Sequence, residues 1–454
     1  MTGAGLISLA PLALAGLAAI VAMVMAPLAS LQAIRAVAGA LLVAALAVVV
    51  LRAGSMPAPA YEILADDALA RFGAGLSILA GLGVLAFVQD DGGAREGPAL
   101  VAIATAGGVA LSAANHGAVL IVGLEITTLA MVALTLMPRT AMAAEAGYKL
   151  FLMAGVSAAT LLLGAAFAFA GTGSLMIDDW GGSTGLVTVG AALLLAGLAF
   201  KFSLVPFHMW VPDLFSGAPV SAAGVAGAVS KAATAVALLR LAETAPGGVI
   251  WTLGLGAAGA AAALLGNIVA LRQESLARML GYSTIAHSGY LAMILAAGGS
   301  IAGEALLVYI AVYVPAILAT LCIASALGGA TRTDLRGLIR SSPLAGAAIG
   351  LALVSMAGLP PTSGFIGKVY LFSALAQAEA WILLAAAAIG AAVAFYYYLR
   401  FALAAFAAPE PDAAERMHVT SGAEKAMLIV ALALLLLPGL YPEPLLALAA
   451  GVVP

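Results

Sequence analysis

The chain has 454 residues, 64% hydrophobic and 9% charged, against about half and about a quarter in an ordinary soluble domain. With 18 basic residues, 21 acidic ones and a mean hydropathy of +1.15, it lacks the polar surface of a soluble enzyme, the basic face of a nucleic-acid binder and the charge density of a disordered chain. A polytopic membrane protein remains, and its single cysteine, Cys322, excludes an internal disulfide, a cysteine-ligated cluster and a CxxC redox pair.

A bilayer core of about 30 Å is crossed by about 20 apolar residues of helix at about 1.5 Å each. Fourteen such stretches are expected, near 4–25, 32–51, 71–89, 98–115, 117–137, 145–170, 186–215, 219–243, 249–271, 276–297, 303–326, 343–376, 380–406 and 424–449. The fold class is therefore all-α, one membrane domain over 1–454. The first stretch reads as a retained helix, because Met1 to Leu6 carries no positive charge and the apolar run exceeds the core of a typical leader. The seventh and twelfth are too long. The seventh contains Pro206 and Pro212, and the twelfth contains Gly358-Leu-Pro360-Pro361-Thr-Ser-Gly364. Proline donates no amide proton and clashes with the preceding turn, so both should be discontinuous helices.

The longest polar linkers, Ser55 to Arg71, Gly328 to Ser342 and Pro409 to Lys425, leave no room for a soluble domain. Loops after odd-numbered stretches hold Arg35, Arg95, Arg139, Arg272, Arg278, Arg332, Arg336, Arg340, Arg400, Arg416 and Lys425; the other side has only Arg52, Arg71 and Arg240. The positive-inside rule then puts odd exits in the cytoplasm and both termini outside. The 52 glycines, with many alanines, favour close helix approach, since lipid gives helices no hydrophobic reason to associate.

Five ionisable residues fall inside apolar stretches: Glu125 in the fifth, Lys149 in the sixth, Lys201 in the seventh, Lys231 in the eighth and Lys368 in the twelfth. Each costs at least about 2.5 kcal/mol at the bilayer centre, so each needs a reason. Arginine, which outnumbers lysine 13 to 5 in the chain, is never used at these positions. Arginine keeps its proton, whereas a buried lysine can release one, and that choice points to a proton path. Glu125 reads as a static counter-ion or as the acid of a relay. Lys149 has Glu145 four residues before it, so a pair at the helix start competes with an interior role.

His208, just after Pro206, and His287, among the hydroxyls of Tyr282-Ser-Thr-Ile-Ala-His287-Ser-Gly-Tyr290, suit a hydrated path. His116 and His418 fall near helix ends or in loops and suggest nothing. Four scattered histidines and one cysteine give no metal-ligand spacing, and no phosphate-binding loop is present. The chain moves something rather than transforming it.

Five segments together carry a resemblance: Lys201-Phe-Ser-Leu-Val-Pro-Phe-His-Met-Trp-Val-Pro-Asp213; Gly217-Ala-Pro-Val220 followed by Ser230-Lys231; Gly266-Asn-Ile-Val-Ala-Leu-Arg-Gln273; Tyr282 to Tyr290; and Ala357-Gly-Leu-Pro-Pro-Thr-Ser-Gly-Phe-Ile-Gly-Lys368. From about Gly123 to Tyr398 the chain resembles the antiporter-like subunits of bacterial respiratory complex I, the NADH:quinone oxidoreductase. Lysine at 368, where M-type members usually have glutamate, and Ile285-Ala286 before His287 point to the N type. No long amphipathic helix follows the last stretch, unlike the L type.

The resemblance implies N-terminal helices 1–3 (1–97), two inverted five-helix repeats, helices 4–8 (98–243) and 9–13 (249–406), and a C-terminal helix 14 (424–449). Each repeat holds one broken helix, five helices apart, the spacing at which the proline-broken stretches already stand. It implies that Glu125, Lys201, Lys231 and Lys368 carry a lateral proton relay with Lys149, His208 and His287 in support, around breaks at Pro206, Pro360 and Pro361. An ionised Glu125 close to Lys201 favours the charged lysine, and its withdrawal would push the proton onward. No cofactor is expected in this chain; NADH, FMN, Fe–S clusters and quinone would belong to other subunits. The partners implied are other membrane subunits, including sister antiporter-like ones, in the bacterial inner membrane. The alternatives are a subunit of a multisubunit Na⁺/H⁺ antiporter or membrane-bound hydrogenase, a stand-alone small-solute carrier binding at the breaks, and a structural spacer with merely paired charges.

Overall fold

Helices coincide with the apolar stretches in the computed structural model, which describes residues 3–58, 61–89, 95–182, 185–244, 248–328, 330–409 and 421–453. Arg416 and His418 lie outside the described residues. Short helix α1 (Gly3–Ser8) runs into α2 (Ala10–Met25), followed by α3 (Leu31–Leu51), α4 (Ala68–Ala86), α5 (Gly97–Ser112), α6 (Gly117–Leu136) and α7 (Ala141–Thr172). The seventh stretch is divided between α8 (Gly185–Lys201) and α9 (Trp210–Gly217). The eighth is α10 (Val220–Gly224), a π-helical turn (Val225–Val229) and α11 (Ser230–Thr244). Then come α12 (Val249–Ala270), α13 (Leu276–Ala297), α14 (Ala302–Ala326) and the one-turn α15 (Leu338–Ser341). The twelfth stretch is divided between α16 (Pro343–Ala357) and α17 (Ser363–Gln377), before α18 (Trp381–Phe406), α19 (Gly422–Leu440) and α20 (Glu443–Ala450). Proline thus interrupts both stretches where its missing amide and ring sterics require it.

Nine helical segments among the described residues are long and apolar enough to cross a membrane. α13 is not among them. It carries Ser283, Thr284, His287, Ser288 and Tyr290, all buried, so its polar groups are covered by other helices. The most apolar part of Val220–Thr244 is wholly buried and that of Ala302–Ala326 is 94% buried, against 28% for α3 and 22% for α19. The axis of the bundle therefore runs along α11, α13 and α14. α12 and α13 meet backbone to backbone: a Cβ on Gly289 would stand 2.5 Å from Ala263 N and Gly259 O.

Helix starts are capped as their sequences dictate. Ser30, Asp67, Thr140 and Ser275 side chains each accept a first-turn amide, and Ser421 with Glu424 forms a reciprocal capping box.

The three arginines of the sparsely charged side are all held in ion pairs. Arg52 reaches both oxygens of Asp66 at 2.9 and 2.6 Å, and Arg71 Nε reaches the same carboxylate at 3.2 Å. Arg240 reaches Asp67 at 2.8 and 2.9 Å, tying α11 to α4. Burial would raise the Asp66 carboxyl, but hydrogen bonds from Arg71, Arg52 and the Ala58 amide outweigh it and hold it below the usual range. A carboxylate lowered on folding contributes stability above its unfolded pKa of about 3.9, and that stability is lost as pH falls through the lower folded value. Amide exchange around this loop, taken relative to the intrinsic rate at each pH, should therefore stay slow from neutrality down to about pH 4 and accelerate only below it. Acceleration already at pH 5 to 6 would show that the clasp does not hold the loop.

Candidate functional site

A half-helix that ends inside the bundle leaves its last carbonyls without intrahelical amides, and such an end attracts cations. Both breaks use this. Lys231 Nζ, 2% exposed, donates to Phe202 O at 2.6 Å and Ser203 Oγ at 2.7 Å, just past the end of α8. Its ammonium also lies 5.2 Å from the centre of the Phe202 ring. The π-helical turn Val225–Val229 directly precedes Ser230-Lys231, a local unwinding of the kind that often marks functional sites. Lys368 Nζ, on α17, reaches back to Ala357 O at 2.5 Å, the last residue of α16. Pro206 and Pro361 each follow a cis peptide bond.

Gly358 lets Lys368 reach that carbonyl. It sits at φ +81°, and a Cβ there would stand 2.3 Å from Lys368 Cδ. Gly358→Ala is expected to displace the lysine stem and to lower turnover about as much as Lys368→Ala; equal activity of Gly358→Ala and the parent would contradict this.

Lys201, the last residue of α8 and 2% exposed, donates to Thr128 Oγ1 at 2.6 Å and Leu124 O at 3.3 Å on α6. Glu125 sits between those two residues, half-buried, and interacts with Lys201 electrostatically. Its carboxylate is not a hydrogen-bond partner of the lysine, so the expected acid and base are neighbours rather than a closed pair.

The second half of the site is a cluster of phenols around His287. Its Nδ1 pairs with Tyr309 OH at 2.8 Å and its Nε2 with Tyr398 OH at 2.9 Å. Tyr398 also meets Ser283 Oγ, and Tyr313 OH lies 3.0 Å from Thr284 Oγ1. Asn267 on α12 bonds Tyr290 at 2.8 Å and Tyr397 at 3.0 Å, joining α12, α13 and α18. Sequence reading missed Tyr309, Tyr313, Tyr397, Tyr398 and Asn267 as members of the site. The available signal was the i, i+4 pair Tyr309 and Tyr313 inside an otherwise apolar helix.

The two halves approach at the π-helical turn, where a Cβ on Gly227 would come within 3.9 Å of Thr284 Oγ1. Ser230 and Thr234 contribute buried hydroxyls with no protein partner beside Lys231, the kind of group that ordered water satisfies. Lysines, hydroxyls, phenols and imidazole can all donate and accept protons in turn, so this constellation can pass protons sideways through the bundle.

Other expected residues are placed apart. The Lys149 side chain is 44% exposed and pairs with Glu145 at 2.7 Å and Asp213 at 2.8 Å, with Arg278 3.6 Å from Asp213. It joins an ion network linking α7, α9 and α13, not the buried row. His208 is half-buried beside exposed Pro206, Phe207 and Met209, its Nδ1 without a protein partner. His116 caps α6 by accepting from Ala118 N at 3.1 Å. Among the described residues no three His, Cys, Asp or Glu side chains converge, and Cys322 is buried, so these residues do not fit an iron–sulfur cluster.

The profile of the NADH:quinone oxidoreductase/Mrp antiporter transmembrane family matches residues 114–394. The chain is 50% identical over 410 residues, 89% of its length and 90% of the relative's, to NADH-quinone oxidoreductase subunit N of Rhodopseudomonas palustris. It is likewise 50% identical over 90% of its length, and 91% of the relative's, to the protein of the same name from Cereibacter sphaeroides. Its fold is similar to a chain of respiratory complex I from Thermus thermophilus, with TM-score 0.87, 34% identity, and 98% and 100% of the two chains covered. A chain of the Mrp complex from a Dietzia species has TM-score 0.86 at 20% identity, over 98% and 97% of the chains, a likeness of fold alone.

Proposed function

The chain belongs to the NADH:quinone oxidoreductase/Mrp antiporter transmembrane family, and from that premise we propose that it is the N-type, proton-translocating membrane subunit of an NADH:quinone oxidoreductase. The observation that carries this reading is the buried string of proton-exchanging groups, from Lys201 through Lys231 to the His287 cluster and Lys368, along helices that also match N-type relatives over nine-tenths of the chain. The protein is a multi-pass membrane protein and works as one subunit of a multisubunit translocase. The reading as a Na⁺/H⁺ antiporter or hydrogenase subunit is not favoured, because the likeness to the Mrp chain is one of fold at 20% identity.

In this proposal a proton enters at Glu125 and Lys201, passes to Lys231 at the first break, crosses at the π-helical turn to His287 and its phenols, and reaches Lys368 at the second break. Glu125 supplies the negative charge that moves relative to Lys201; Thr128 and the Leu124 carbonyl hold the ammonium between transfers. The unpaired carbonyls at Phe202 and Ala357 do the same for the other two lysines. Electron transfer belongs to other subunits, whose flavin, clusters and quinone would supply the driving force.

The domain reading adopted is two inverted five-helix repeats, 98–243 and 249–406, supported by breaks at equivalent helices and by the matching use of a break carbonyl by Lys231 and Lys368. The inner membrane, with both termini outside, is the orientation that the arginine asymmetry supports.

The test is to tag the chain, purify it from native membranes and identify what accompanies it. An assembly with NADH-driven quinone reductase activity and sister antiporter-like chains is expected. Recovery alone, with solute uptake by the isolated chain in liposomes, would support the carrier instead.

A further inference from the structure

Between His287 and Lys368 no direct hydrogen bond closes the string. His287 Nδ1 is engaged by Tyr309 OH at 2.8 Å, and His287 is that hydroxyl's one protein partner among the described residues. Lys368 Nζ gives one of its protons to Ala357 O at 2.5 Å, leaving two undirected. A void of about 10 Å³ lies between them, walled by His287, Tyr309, Tyr313, Ser355, Lys368 and Ala316 with three further residues. That volume is about one water probe, and a buried water also needs two to four polar partners. The walls supply them. Ser355 Oγ accepts the Gly364 amide at 3.0 Å and keeps its own proton to donate. Thr284 donates to Leu280 O at 2.8 Å, so Tyr313, which also walls the void, donates to Thr284 at 3.0 Å and keeps its lone pairs to accept.

We infer that Tyr309 is a relay residue, and that a single water held in this void connects its hydroxyl to Lys368. This rests on the relay reading above and adds the residue and the molecule that bridge its last gap. With His287 doubly protonated and Lys368 neutral, the Nδ1 proton moves to the Tyr309 oxygen, the phenol proton moves to the water, and a water proton moves to the Lys368 lone pair. Three bonds to hydrogen break and three form. The phenol and the water end as they began, the imidazole is neutral and the lysine is an ammonium.

Two variants in the intact complex test this. Tyr309→Phe removes the hydroxyl and keeps the ring; Ala316→Val fills the void from α14 without removing any polar group. His287→Ala reports on the relay itself, and Tyr396→Phe, on the 61% exposed neighbour in α18, serves as the unaffected comparison. Assembly is read on native gels, and pumping and NADH:quinone rate in membrane vesicles. The expected result is normal assembly with pumping down about tenfold or more in both Tyr309→Phe and Ala316→Val. Parent-level pumping in either assembled variant, with His287→Ala impaired, overturns this inference and leaves the relay standing. Parent-level pumping in His287→Ala as well overturns the relay and the inference together.

Discussion

Glu125→Ala and Lys201→Ala are each expected to lower proton pumping and coupled quinone reductase activity several-fold while the complex still assembles. Lys201 is 2% exposed and holds Thr128 Oγ1 and the Leu124 carbonyl, both of which keep partners within α6 when the amine is removed. Thr128 Oγ1 still donates to Leu124 O at 2.7 Å. Loss of the lysine thus leaves a small cavity with its hydrogen-bond partners satisfied, and the Glu125 carboxylate that loses its counter-charge is only half-buried, so assembly survives. Replacing Lys201 by Arg keeps the charge but not the ability to release a proton; it should be as inactive as alanine, which a purely electrostatic role would not predict. Parent-level pumping in Glu125→Ala and Lys201→Ala would defeat the relay, and full pumping with both replaced by apolar residues would favour a structural spacer.

Gly364→Ala is expected to reduce the amount of assembled complex sharply, with activity lost in proportion. The two halves of the second break approach so closely that a Cβ on Gly364 would stand 1.8 Å from Ser355 O, a backbone atom that cannot rotate away. Overpacking costs about 1–3 kcal/mol where side chains can adjust, and more where a backbone must move. α19 closes the other side: a Cβ on Gly439 would meet Pro361 O at 2.1 Å, so the break is braced from both directions. The matched comparison is Gly155→Ala on α7, where nothing lies within 4 Å, and assembly there should match the parent. Normal assembly of Gly364→Ala on a native gel would show that the halves can separate freely.

The helical stretches, the two broken ones and the buried lysines were all legible in the sequence, because lipid imposes strict rules. Every backbone group must be satisfied internally, so spans are helices, and Pro206 and Pro360-Pro361 mark where two of them break, although α14 continues through Pro315 and α19 through Pro438. A charge in an apolar run is costly enough to stand out singly, which made Lys201, Lys231 and Lys368 identifiable without any neighbour in view. Only tertiary structure decided which groups those residues meet. Tyr396, Tyr397 and Tyr398 are consecutive, yet Tyr396 is exposed while Tyr397 bonds Asn267 and Tyr398 bonds His287; successive residues point about 100° apart on a helix of 3.6 residues per turn, and only packing fixes which direction is inward. Lys149 shares an apolar helix with an acid four residues before it, and that local pair with Glu145 was legible in the sequence, but only the approach of α9 brought Asp213 to it and completed an exposed ion network.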